Sequence, residues 1–278
     1  MRVFLVISAI ALSCQLRAAD IAFADAGVKA LCVANWDTDH DGELSEEEAA
    51  AVTTLGTVFR EKTSIDAFPE LRYFTGLTAI DDYAFYKSTI SGELRVPGNV
   101  KTIGRYAFNS CRQLTAVVLE DGVEEVGWHA FSGPIRTLSL PASLTSMSSM
   151  AIDPYVNGSS SGMFTPEGDL YVSAHGTTPA DINDYAFYYV FAEAHLVVPY
   201  GCKEDYKASW AWSQFGEYIE VGDVNRDGRL DLADVTLLIA YIQGREHTET
   251  EALIADVNGD GLLDGEDVEQ LCQYLLGS

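Results

Sequence analysis

An Ala-Phe pair recurs at residues 84–85, 107–108 and 130–131, each copy 23 residues after the last. The hexapeptides around it read IDDYAF from residue 80, IGRYAF from 103 and VGWHAF from 126. MSSMAI from 147 is a fainter copy, and INDYAF from 182 is a clear last one. A period of this length means a stack of like coils. One such unit has too little apolar surface to bury a core of its own, so neighbours must cover each other. Strand-like runs follow the clear pairs, at residues 94–96, 117–119, 138–140 and 196–198. Alternation along them turns one side into the core and leaves the other on an open sheet face, drawn from Arg95, Val118, Ser139 and Val197. Ala and Phe are expected to fill the interior where each coil crosses back.

The period is broken at residues 153–181, which contain GSSSG at 158–162 and read as a loop or distorted coil. Residues 198–206, with Trp210, Trp212 and Phe215, read as a closing cap whose aromatics belong to the core. Residues 67–220 resemble the BspA-like leucine-rich repeats of bacterial surface proteins. The family unit IGxxAFxxCxxLTxVxLP is best kept where Arg112 and Leu114 follow Cys111. The resemblance implies a β-rich solenoid with a non-catalytic binding surface for adhesion or recognition, its ligand a protein or a glycan.

The last 56 residues repeat one sentence twice, 33 residues apart: DVNRDGRLDLADVTLLIAYIQG from residue 223 and DVNGDGLLDGEDVEQLCQYLLG from 256. Oxygen-bearing side chains fall at loop positions 1, 3, 5, 9 and 12. They are Asp223, Asn225, Asp227, Asp231 and Asp234, then Asp256, Asn258, Asp260, Asp264 and Asp267. Position 6 is Gly228 and Gly261, which permit the sharp turn. Position 7, Arg229 and Leu262, offers only its backbone carbonyl. Ca²⁺ takes six to eight oxygens, and this spacing wraps one loop around one ion. A helix follows each loop, with Val235, Leu238, Ile239 and Ile242 registered on Val268, Leu271, Cys272 and Leu275 as buried faces, and Gly244 and Gly277 as C-terminal caps. Residues 221–278 resemble a type I dockerin. That implies a small all-α module with two Ca²⁺ sites that docks onto a cohesin-domain protein. The family reads its partner through loop positions 10 and 11, here Leu232 and Ala233, then Gly265 and Glu266.

A third loop lies near the front. Residues 37–48 read DTDHDGELSEEE, with Asp37, Asp39, Asp41, the Glu43 carbonyl, Ser45 and Glu48 at positions 1, 3, 5, 7, 9 and 12 and Gly42 at 6. The pattern fits an EF-hand loop and one more Ca²⁺. Val28, Leu31, Cys32 and Val33 make the face of an entering helix. Such loops usually work in pairs, and no second one lies nearby, so residues 20–66 read as a calcium-stapled cap rather than a sensor.

Residues 1–19 carry Arg2, an apolar run over 3–12 and a small-residue end, the pattern of an export signal; a rival cut before Cys14 would leave a lipid anchor, the only expected route to a membrane. The formal charge of −25 excludes nucleic acid as a partner. Cys32, Cys111, Cys202 and Cys272 are scattered and read as free buried thiols. The chain has no HExxH, and many of its acids belong to the loops, so no enzyme is expected. The expectation is a multidomain α+β chain, secreted or at the cell surface, in which a calcium-dependent dockerin carries the solenoid to its partner. An adhesin whose calcium modules only stabilise it stays open, as does a dockerin-bearing enzyme in a polysaccharide-degrading setting.

Overall fold

The computed structural model describes residues 18–153, 170–187 and 194–277. The expected export signal, but for its last two residues, lies outside them, as do Cys14 and residues 158–162. Among the described residues the helices are α1 (Ala26–Trp36), α2 (Glu46–Ala51), α3 (Lys203–Ala208), α4 (Leu232–Ile242), α5 (Glu249–Ala255) and α6 (Gly265–Leu276).

Between α2 and α4 the chain winds as a three-sided solenoid. Its broad side is a six-stranded parallel sheet of Ser91–Val96, Gln113–Leu119, Thr137–Leu140, Tyr171–Ala174, His195–Val198 and Glu217–Glu220, paired in chain order. The register stacks Leu94, Val117, Leu138, Val172 and Leu196 in one row, all at most 1% exposed. Two-residue strands build the other sides: Ala79–Ile80, Thr102–Ile103, Glu125–Val126 and Ser146–Met147, then Phe108–Asn109, Phe131–Ser132 and Ile152–Asp153. The strand Tyr171–Ala174 lies in the stretch expected to be irregular. It was hidden because the coil before it lacks the Ala-Phe unit, although it still holds the common register.

Four phenylalanines stack through the interior: Phe59 on Phe85 at 4.8 Å, Phe85 on Phe108 at 4.9 Å and Phe108 on Phe131 at 5.1 Å, all within 14° of parallel. Each buried ring contributes about 2 kcal/mol of transfer free energy. The ladder begins at Phe59, inside the segment assigned from sequence to the front cap. Its spacing of 26 residues from Phe85 conceals it from a 23-residue period.

The residue before the alanine is left-handed in the first four copies: Tyr83 has φ 62°, Tyr106 56°, His129 49° and Met150 54°. In this conformation Tyr83 N–H reaches the Arg105 carbonyl at 3.0 Å, Tyr106 N–H the Trp128 carbonyl at 3.0 Å and His129 N–H the Met150 carbonyl at 3.1 Å. Such backbone costs about 1 kcal/mol per residue. Stacking of Tyr83 on Tyr106 at 5.0 Å and Tyr106 on His129 at 5.5 Å offsets it, since a ring pair contributes about 1 kcal/mol beyond its area.

At the C-terminal end, Tyr206, Trp212 and Phe215 are buried; Trp212 Nε1 donates to the Ala180 carbonyl and Tyr206 Oη to that of Gly176. Trp210 corrects the core expectation: it is 69% exposed, set on a short 3₁₀ turn with its neighbour Trp212 turned inward. The thiols at 32, 111, 202 and 272 are free, but only Cys32 and Cys111 are buried. Among the described residues no helix is long and apolar enough to cross a membrane.

Candidate metal centres

The two C-terminal loops fold on one hydrogen-bond plan, repeated at the 33-residue shift. At position 1, Asp223 accepts from the N–H of Asp227 and Gly228, and Asp256 from those of Asp260 and Gly261. At position 3, Asn225 and Asn258 each accept from the N–H two residues on. At position 5, Asp227 accepts from Arg229 N–H and Asp260 from Leu262 N–H. At position 12, Asp234 spans Asn225 and Asp231 N–H, while Asp267 spans Val257 and Asp264 N–H. Position 9 caps the next helix: Asp231 and Asp264 accept from Ala233 and Glu266 N–H. Every oxygen-bearing residue singled out from sequence is therefore drawn into its loop.

Whether a cation fits can be judged from the charge. Asp234 and Asp267 are fully buried, and Asp223 and Asp256 are 8% and 7% exposed. Among the described residues none of the four makes a salt bridge. Burial pushes the carboxyl of Asp256 up to about 7, with Asp267 and Asp260 adding repulsion; burial also raises Asp223 and Asp267. Like charges held together out of water need a compensating cation, and the donor set is all oxygen, which suits Ca²⁺.

Leu232, Ala233, Gly265 and Glu266 stand exposed at the starts of α4 and α6. The apolar face of α4 differs from expectation. Val235, Leu238 and Tyr241 are buried, whereas Ile239 and Ile242 are each 37% exposed and Leu232 is 74% exposed. The packing on α6 uses only part of the stripe, so an apolar edge of α4 faces water.

In the front loop the carboxylate oxygens of Asp37, Asp39 and Glu48 lie within 4.8 Å of one another. Asp37 accepts from His40 and Gly42 N–H; Asp41 accepts from Glu43 N–H. Burial opposes the charge on Glu48, but hydrogen bonds from Ser45 and Thr38 outweigh it and bring the carboxyl down to about 2. Ser45 and Glu48 also form a capping box on α2. The missing second loop has a substitute. Asp20 bridges Ser45 in antiparallel fashion, and Ile21 N–H donates to the Leu44 carbonyl at 2.8 Å, so residues 20–21 pair with the loop edge.

Residues 59–156 match the BspA type leucine rich repeat region in six copies. Residues 221–276 match the dockerin type I domain, a known calcium-binding domain whose partners are of the cohesin type. The chain thus carries a leucine-rich repeat solenoid and a dockerin, modules of surface or cohesin-docking proteins. Comparison with curated proteins returned no match.

The pKa of Asp256 sets a pH dependence. Without metal the folded module keeps a proton on Asp256 up to about 7, whereas the unfolded chain releases it near 3.8. Between these values the folded state binds more protons, so metal-free stability falls as pH rises. A cation must displace that proton, so calcium affinity at the second loop is expected to increase from about pH 5.5 to about pH 8 and then level off. Calorimetric titration in buffers of different ionisation enthalpy should register proton release at the acid end only. A pH-independent affinity would contradict the buried-carboxylate account.

Proposed function

We propose that this is an exported, non-catalytic binding protein in which three calcium loops order the ends of the chain and the dockerin fastens the solenoid to a cohesin-bearing partner. The observation that carries this reading is the doubled loop plan with its buried, uncompensated carboxylates. The exposed edge of α4, formed by Leu232, Ile239 and Ile242, supports it, because an apolar strip beside the partner-reading positions 232 and 233 suits burial in an interface. The front loop takes the third ion as a staple for the first coil, and the solenoid meets a protein or glycan. The protein acts outside the cell or on its surface.

The test is binding of the calcium-loaded full chain to a panel of cohesin domains. Ile239→Asp and Leu232→Asp are each expected to weaken binding at least tenfold, the loss of about 1.4 kcal/mol typical of a buried contact. Calcium stoichiometry should stay unchanged. Absence of binding to every cohesin, with calcium still bound, would favour the reading in which the loops only stabilise an adhesin.

A further inference from the structure

The outer face of the six-stranded sheet, expected to be an open recognition surface, is covered over its later strands, while Arg95 and Val118 stay partly exposed. Val197 is 0% exposed, Ser139 7% and Tyr171 6%. What covers them is the dockerin: Tyr171, Val197 and Ile219 of the sheet and Ile254 of α5 share one buried cluster. Only Val221 and Gly222 separate the last strand from the first loop, and they are tied down in turn, Val221 N–H to the Val198 carbonyl and Gly222 N–H to that of Ile254.

Both calcium loops stand on the solenoid, and both use position 4 to do so. In the first, Arg226 donates to Tyr171 Oη at 3.0 Å and to Glu217 at 2.8 Å. In the second, position 4 is Gly259, which lets the backbone approach His175; a Cβ there would lie 2.3 Å from His175 Nδ1. His175 is held from the other side by Ser139 and Ser173 at 2.9 and 3.3 Å. Arg95 reaches the Gly261 carbonyl of the same loop. A cleft of 140 Å³ remains between the modules, and Asp256, the first residue of the second loop, lines it.

We infer that the sheet face is the seat of the chain's own dockerin, clamped by position 4 of both calcium loops, and that loss of calcium opens this face. A ligand of the sheet then competes with the module for the same residues. The seat itself stands on contacts between modules, and only its calcium dependence rests on the metal reading above.

Gly259→Arg tests the seat without touching an oxygen ligand. The loop backbone tolerates arginine there, since Arg226 holds φ 59° at the same position of the first loop and Gly259 has φ 77°. Oxidative footprinting of Tyr171 in the full chain, read by mass spectrometry, is the measurement, with buried Tyr206 as internal control for the solenoid. Tyr171 is expected to be protected in the calcium-loaded wild type. In Gly259→Arg, or after chelation, its modification should rise on the order of tenfold while Tyr206 stays protected. Val197→Asp, on the solenoid side of the contact, should give the same exposure with calcium stoichiometry intact, so a folding defect in the loop variant does not decide the matter. Tyr171 freely modified in the calcium-loaded wild type would overturn the seat. Protection unchanged in both variants would overturn it as well. Protection lost in the variants but kept under chelation would overturn the calcium coupling alone, and absence of calcium binding in the wild type would instead strike the metal reading.

Discussion

Replacing Asp223 and Asp256 together by alanine is expected to abolish the calcium-dependent stability of the C-terminal module while leaving the solenoid folded. Each change deletes the first carboxylate of its loop and an acceptor of backbone N–H groups, those of Asp227 and Gly228 in one loop and of Gly259, Asp260 and Gly261 in the other. Binding at a thousandfold excess over Kd stabilises a folded state by about 4 kcal/mol per site. Two sites supply a large share of the roughly 5–15 kcal/mol that holds a domain together. The core of the module is small, centred on Val235, Leu238, Val257 and Leu271, and cannot replace that contribution. Circular dichroism melts with calcium and with chelator measure the effect. The wild type should show a large calcium-induced rise in melting temperature of its helical signal. The double variant should show no such rise from α4–α6. A full calcium shift in the double variant would refute the assignment of both first ligands.

The loops were legible in the sequence because a twelve-residue turn fixes which side chains point inward, and glycine at position 6 marks the turn. The stacked coils were legible for the same reason, since Ala107 and Phe108 occupy positions whose spacing geometry enforces. Phe59 was not, because the first coil has a different length and matches the ladder only in space. The strand Glu217–Glu220 was not either: it pairs with His195–Val198 without any Ala-Phe unit of its own. The seat of the dockerin lay furthest from view. Arg95 and Gly261 are 166 residues apart, and no period or motif joins them. The half-exposed Ile239 and Ile242 had a readable apolar spacing, but spacing alone does not say whether a stripe faces its own core or a partner.

Phe108→Ala is expected to destabilise the solenoid by about 3–5 kcal/mol, the range for deleting a fully buried ring. Phe108 is 0% exposed and lies between Phe85 and Phe131, at 4.9 Å and 5.1 Å with interplanar angles of 14° and 3°. Its loss removes both stacking contacts and leaves a cavity that the parallel sheets around it cannot close, since the backbone N–H of Phe108 and Phe131 is tied to Ala130 and Ala151 of the next coils. In a stack where each coil touches only its neighbours, a central defect uncouples the coils on either side. Denaturant unfolding should therefore show a lower midpoint and a broader or split transition. Trp128→Ala, at a ring 42% exposed, should shift the midpoint much less. A loss below about 1 kcal/mol for Phe108→Ala, the level of an ordinary surface change, would mean that the ladder is not the continuous core on which the coils depend.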